Sequence, residues 1–288
     1  MIELTMLNSM AGSDFAAALA QHRAWGLRCL DLKDSILGKG LLDLSLDEAR
    51  AAAALIRTHE TSVYCFSTTL FVDDIEMGRA AFAATLSGKI RHAIALAGVL
   101  KPKVIRLLAA RTSKRAGILD AIVYVRQNHP WLLDLYRAAI DELHAAGWAV
   151  TIENECHDCI LGRPEEVCQF FTLLDRPGRV TFTWDVQNMW QMGTFPTLAA
   201  YQPMRDLISY YHVKGGQCRT PGGRLEYRSA LEDASWPVAQ ITRQVSADGR
   251  VPMICLNPPH GGAKPGAIDS DITARDVRFV QQLLGERP

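Results

Sequence analysis

Apolar residues along the chain gather in short runs, separated by longer stretches in which they recur at helical spacing. The runs are Ile2–Leu7, Leu27–Leu32, Ser62–Phe66, Lys103–Ala109, Trp148–Ile152, Val180–Trp184, Ile208–Tyr211 and Val251–Leu256. Each is short, and most are rich in Val, Ile, Leu and aromatic residues, as a strand covered on both faces requires. The segments between them carry helix punctuation. Ser13 or Asp14 can cap an Ala-rich helix that runs to Trp25 and stops at Gly26. Ser45, with Glu48 in the N3 position, reads as a capping box for a helix to about His59. Further helical patterns span about Asp74–Val99, Gly117–Ala146, Arg163–Leu174, Thr197–Asp206, Ser229–Ala247 and Thr273–Leu284. Pro130 and Pro237 break the segments that hold them, since proline removes a donor and disfavours helix at the residue before it.

Strict strand–helix alternation argues a parallel sheet joined by crossover helices. Eight such units in 288 residues, with no shift of composition to mark a linker, predict a single (β/α)8 TIM barrel over residues 1–288. A dinucleotide-binding sheet would need G-x-G-x-x-G after its first strand, where this chain has Asn8-Ser9-Met10-Ala11-Gly12. Nor is there a G-x-x-x-x-G-K-S/T phosphate loop.

In a barrel of this kind the carboxyl ends of the strands hold the chemistry. The fifth run stops in Glu153-Asn154-Glu155, the sixth delivers Asp185 and the seventh delivers His212. A carboxylate at the end of a buried strand is costly to desolvate unless a cation or a reaction uses it. One acid in such a place is more often a helix cap or an ion-pair partner, and one histidine a satisfied core residue. Three consecutive strand ends supplying Glu, Asp and His fit a divalent ion better: Mn²⁺, Mg²⁺, Co²⁺ or Zn²⁺. Such an ion polarises a carbonyl or hydroxyl while a nearby group moves a proton on the adjacent carbon. Asn188 and Lys214 lie near the same ends and can either bind substrate oxygens or cap turns.

Composition narrows the partners. Basic and acidic residues balance at 31 each, so nothing favours capture of nucleic acid or an anionic membrane. No apolar run reaches the length of a membrane span, and Met1–Met10 lacks the layout of a signal peptide. The seven cysteines are scattered and odd in number, as in a cytoplasmic protein with reduced thiols. Cys156 and Cys159 form a C-x-x-C without the context of either a redox helix or a second zinc-binding pair.

The motifs Ile152-Glu153-Asn154-Glu155, Trp184-Asp185-Val186-Gln187-Asn188 and Tyr211-His212-Val213-Lys214-Gly215 resemble three consecutive signatures of the xylose isomerase-like TIM-barrel family. That family includes sugar phosphate isomerases/epimerases and ketose 3-epimerases, and the likeness of order and spacing covers about residues 148 to 260. The resemblance implies a divalent-metal-dependent isomerase or epimerase. Its substrate would be a sugar, a sugar phosphate or a related polyhydroxy carbonyl compound, processed through an enediolate. It also implies that Glu153, Asp185 and His212 are metal ligands, that Glu153 doubles as an acid/base group, and that Asn188 and Lys214 face the substrate. Arg106, inside the fourth strand, is a further candidate substrate contact. Family members commonly carry a fourth ligand and opposing base, a Glu, at the end of strand eight. This chain has Leu256-Asn257-Pro258-Pro259-His260 there, so Asn257 stands where the Glu would be, and Gly215 stands where Asp is usual. An amide can coordinate a hard cation but cannot shuttle a proton. Glu155, His157 or His260, on flanking loops, could take over part of that role. The alternatives are a diverged barrel with lyase or hydrolase chemistry, or one that binds a sugar-like ligand without turnover. An abasic-site endonuclease, which shares the barrel, would want His and Glu where Ser67-Thr68, Ala109-Ala110 and Asn188 stand. Pairing of barrels is common in the resembling family, so a homodimer is expected.

Overall fold

The structure, a computed structural model, describes residues 2–12, 14–257 and 270–285. Ser13, His260 and the rest of 258–269 lie outside the described residues.

Eight strands are present: β1 (Glu3–Met6), β2 (Cys29–Leu32), β3 (Ser62–Ser67), β4 (Val104–Leu108), β5 (Ala149–Glu153), β6 (Val180–Asp185), β7 (Ile208–Val213) and β8 (Met253–Leu256). They form one sheet in the order β1-β8-β7-β6-β5-β4-β3-β2, with every neighbouring pair parallel. Helices connect successive strands, and the result is a (β/α)8 TIM barrel, as the alternation predicts. The sheet closes at its β1/β2 seam by a single parallel bridge, Leu7 to Asp31. Side chains reinforce that seam: Thr5 Oγ1 donates to Cys29 O (2.9 Å), and Asn8 bonds Lys33 N (3.0 Å) and Asp34 O (2.6 Å).

The two-residue period of a strand sorts the barrel into two environments. Outward positions meet the helices in the main apolar core, where Trp184 stacks on Tyr201 and Tyr211. Inward positions form a smaller apolar cluster of Cys65, Val104, Tyr210, Met253 and Cys255. Polar residues of the barrel strands that face the same way, Asp31, Arg106, Glu153, Asp185 and His212, are nearly or fully buried. Adjacent residues such as Tyr211 and His212 therefore do unlike work.

Most helices follow the sequence pattern. Asp14 caps Phe15–Ala24, and the Ser45/Glu48 capping box is formed ahead of Leu46–Thr58. Three predicted helices are shorter or broken. The stretch 74–99 is a 3-10 turn followed by Arg79–Leu86 and Lys89–Leu100, divided where Gly88 adopts φ +73°. Only Val238–Ala247 of the predicted Ser229–Ala247 is helical, because Pro237 sets its start. The 197–206 stretch holds one short helix, Leu198–Tyr201, and a 3-10 turn. A short helix, Val186–Gln191, follows β6 unpredicted, and Asp185 caps it.

One buried carboxylate locks the loop after β5. Glu166, in the first turn of Pro164–Leu174 and fully buried, accepts from Arg115 Nη2 (2.7 and 2.9 Å), Arg163 Nη2 (3.0 Å), Ala121 N (3.0 Å) and Gly162 N (3.0 Å). It ties the segments after β4 and β5 together just outside the barrel mouth. Removing one member of such a buried pair leaves its partner's charge uncompensated. Glu166→Ala should therefore lower unfolding free energy by about 3 kcal/mol in urea denaturation, whereas a surface carboxylate such as Asp47 should tolerate the same change with a loss below about 0.5 kcal/mol.

Candidate metal centre

β5, β6 and β7 are consecutive in the sheet, and Glu153, Asp185 and His212 occupy their last inward-facing positions. His212 Nδ1 lies 3.0 Å from Glu153 Oε1 and 3.8 Å from Asp185 Oδ2. One ligand-type atom from each of the three falls within 4.8 Å of the others. Asn154 fixes two of these strand ends: its side chain accepts from Asp185 N (2.9 Å) and donates to Asp185 O (2.9 Å). Asp185 Oδ1 caps the helix behind it through Asn188 N (2.9 Å), which leaves Oδ2 facing the barrel axis.

Two permanent cations sit on this group. Arg106, from β4, donates to Glu153 Oε2 through Nη1 and to Thr68 O through Nη2 (2.8 Å). Lys214 Nζ lies 2.5 Å from Asp185 Oδ2 and 3.3 Å from Asn188 Oδ1. Burial works to raise the Glu153 pKa, but Arg106 and His212 overcome it and hold this carboxyl well below the usual range. Asp185 shifts the other way, raised chiefly by burial and by the Glu153 charge against the pull of Lys214. Burial works to lower Lys214, yet Asp185 and Glu153 keep it raised.

A third carboxylate completes the interior. Asp31, in β2, is fully buried, accepts from Tyr210 OH (2.8 Å) and lies 3.8 Å from His212 Nε2. Burial is the main cause of its raised pKa. Among the described residues Arg106 and Lys214 are the permanent cations paired with this group, so with all three carboxylates ionised and His212 neutral it would be one positive charge short. Among the described residues, Asp185 Oδ2 and both ring nitrogens of His212 lack a well-formed hydrogen bond. Two carboxylates and an imidazole with ligand-type atoms within 4.8 Å of one another fit a divalent cation.

The other sequence candidates fall into place unevenly. Glu155 is half-buried and accepts from Asn188 Nδ2 (2.8 Å), which puts it beside Lys214 at the mouth. Asn188 spends its amide on Glu155 and on Asn154 O (3.1 Å). Arg106 is held by Glu153 and Thr68, so its guanidinium serves as a counter-charge to a ligand-type carboxylate. His157 is exposed, in a left-handed turn with Asp158 (φ +57° and +61°), and is not brought to the cluster. Asn257 is buried at the end of β8, its Oδ1 3.7 Å from Cys255 Sγ. Gly215 has a physical reason: a Cβ there would lie 2.1 Å from Ser229 O and 2.6 Å from Ala230 O, so the loop after β7 could not pack with Asp in that place. Asp31, Asn154 and Tyr210 were not picked out as site residues from the sequence. An acid inside the apolar run Leu30-Asp31-Leu32 was the one available signal for Asp31.

No sequence-family profile matches the chain, and no curated protein matches it. Solved structures do. A xylose isomerase-like TIM barrel protein from Mycobacterium smegmatis in complex with magnesium superposes with a TM-score of 0.71 at 16% identity, over 98% of this chain and 96% of that one. The fold is that of the xylose isomerase-like barrels. A probable 3-DHS dehydratase of petrobactin synthesis from Bacillus anthracis gives 0.73 at 14% identity, over 98% and 99% of the two chains. D-psicose 3-epimerase from Clostridium cellulolyticum H10, solved with D-tagatose, gives 0.68 at 12%, over 99% and 98%. Xylose isomerase-like barrels thus include enzymes of more than one reaction class.

If Arg106 is the counter-charge of Glu153, deleting it should hurt most when nothing replaces it. Arg106→Met should lower unfolding free energy by about 3 kcal/mol in chelator-treated protein. Added Mn²⁺ should restore more of the melting temperature in this variant than it adds to wild type. An equal shift in both proteins would remove Arg106 from that role.

Proposed function

We propose that this chain is a divalent-metal-dependent isomerase or epimerase acting on a sugar, sugar phosphate or related polyhydroxy carbonyl compound. The observation that carries the reading is the convergence of Glu153, Asp185 and His212 from three neighbouring strand ends, with the half-buried Lys214 beside them. These three would hold the ion, with Asn257 as a neutral fourth group. Mn²⁺, Mg²⁺, Co²⁺ and Zn²⁺ all suit the donor set. When bound, the ion polarises adjacent substrate oxygens and stabilises negative charge that develops on them.

The chain's own residues do the rest. Glu153 stays ionised at neutral pH under the influence of Arg106, which makes it a steady ligand and a weak base. Lys214 carries a transferable proton at Nζ within reach of whatever replaces its contact with Asp185. Asn188 and Glu155, bonded to each other, line the mouth and can receive substrate hydroxyls. The described part of β8 and Asn257 offers no carboxylate opposite Glu153, and a reading with proton transfer from one side of the site rests on that. One face suffices for a proton shift between neighbouring carbons, and also for loss of water from a β-hydroxy carbonyl compound. Inversion at one carbon needs two faces. That favours aldose–ketose isomerisation first, and makes a lyase of the dehydratase type the second reading, with ligand binding without turnover the third. We place the protein in the cytoplasm as a homodimer binding small sugar-like molecules, with neither nucleic acid nor membrane as partner. Among the described residues no helix is long and apolar enough to cross a membrane.

Glu153→Gln should reduce turnover at least about 10³-fold on any substrate found by screening ketoses, sugar phosphates and inosose-type compounds with each metal. Its circular dichroism should match wild type. Full activity in that variant would remove Glu153 from the mechanism. Loss of a water molecule from the product, seen by mass spectrometry, would select the lyase reading instead.

A further inference from the structure

His212 presents its two ring nitrogens to different partners. Nδ1 faces Glu153 and Asp185, while Nε2 lies 3.8 Å from Asp31 Oδ2. Cys255 Sγ, from β8, lies 3.9 Å from that same oxygen. An imidazole nitrogen, a thiol sulfur and a carboxylate oxygen therefore come within 4.8 Å of one another, and none of the three residues is more than 1% exposed. Two polar atoms of this group, Asp31 Oδ1 and His212 Nε2, have no hydrogen-bond partner among the described residues. Tetrahedral zinc, with sulfur at about 2.3 Å and nitrogen or oxygen at about 2.0 Å, places its ligand atoms roughly 3.3–3.5 Å apart. The two distances to Asp31 Oδ2, 3.8 Å from His212 Nε2 and 3.9 Å from Cys255 Sγ, exceed that spacing by about half an ångström, and the third pair lies within 4.8 Å.

We propose that Asp31, His212 and Cys255 form a second, deeper cation position, selective for a thiophilic divalent ion such as Zn²⁺ and mutually exclusive with the position at Glu153 and Asp185. Selectivity follows from the donors: thiolate favours zinc-like ions, whereas the upper group, with two carboxylates, also accepts Mg²⁺ or Mn²⁺. Exclusivity follows from the shared histidine, because a neutral imidazole has one nitrogen free to coordinate. An ion above takes Nδ1 and leaves an Nε2–H directed towards Asp31. An ion below takes Nε2 and leaves an Nδ1–H able to donate to Glu153 Oε1, 3.0 Å away. Cys255 binds as thiolate and its proton leaves to solvent, so each ion bound releases a proton. Asn257 Oδ1, 3.7 Å from Cys255 Sγ, is near enough to supply a fourth ligand. The deeper position stands on these residues alone. That zinc held there would inhibit the enzyme is a consequence that rests also on the proposed function.

Metal-free wild-type protein titrated with Co²⁺ should develop a near-ultraviolet sulfur-to-cobalt charge-transfer band that saturates at one equivalent. Cys255→Ser should lose the band and still bind Co²⁺ at the upper position. Cys65→Ser, altering the other thiol of the interior cluster, should keep it. X-ray absorption of the zinc-loaded wild type should find one sulfur scatterer at about 2.3 Å, a readout that needs no variant to fold. Zn²⁺ added to Mn²⁺-loaded protein should release one free Mn²⁺ per ion, counted by electron paramagnetic resonance. A purely nitrogen and oxygen shell around zinc, or a charge-transfer band that persists in Cys255→Ser, would overturn the deeper position. Simultaneous binding of both ions would overturn the exclusivity.

Discussion

The barrel interior is governed by the need to neutralise carboxylates that water cannot reach. Asp31, Glu153 and Asp185 are each no more than 3% exposed, and an isolated buried carboxylate would protonate before it tolerated such a place. Arg106 answers Glu153 and Lys214 answers Asp185, each from an adjacent layer of the same wall. His212 stands between the remaining oxygens and can serve either side. With all three carboxylates ionised, the interior would carry more negative charge than Arg106 and Lys214 offset, and a bound cation would supply the balance.

That balance explains why the surrounding scaffold is so closely specified. Asn154 ties β5 to β6 by a reciprocal pair of bonds, and the Asp185 cap fixes the helix that carries Asn188. Tyr210 holds Asp31, while Trp184 and Tyr211 stack on each other and anchor β6 and β7 from outside. Packing energy from the outer core maintains an arrangement of charges that would otherwise relax. The same logic ranks the reactive groups. Arg106 and His212 hold the Glu153 carboxyl below the usual range, which favours its ionised form, while Asp185 and Glu153 keep Lys214 charged and therefore a donor.

Much of the fold was legible in the sequence because apolar runs and helix caps are local signals. Ser45 with Glu48, Asp14 and the eight strands all lie where the pattern puts them, and three strand ends sufficed to locate the cluster. What the pattern did not disclose is pairing across the barrel. Arg106 reads as a possible substrate contact until its guanidinium is seen on Glu153. Asp31 is separated from Tyr210 by 179 residues along the chain, so nothing in its neighbourhood announces the contact. Gly215 looks like the loss of an acidic residue, and turns out to be required by the close passage of Ser229 and Ala230. His157 illustrates the reverse case: adjacency in sequence to Glu153 suggested a role, but the residue is exposed in a left-handed turn.

The central claim is that Glu153, Asp185 and His212 converge on one divalent ion that takes over part of the work of Lys214. Anomalous diffraction from crystals grown in excess Mn²⁺ tests it most directly. The account predicts a single strong peak bounded by those three side chains, with Lys214 Nζ drawn away from Asp185. An empty site in which Arg106 and Lys214 keep their carboxylates, at saturating Mn²⁺, would contradict it.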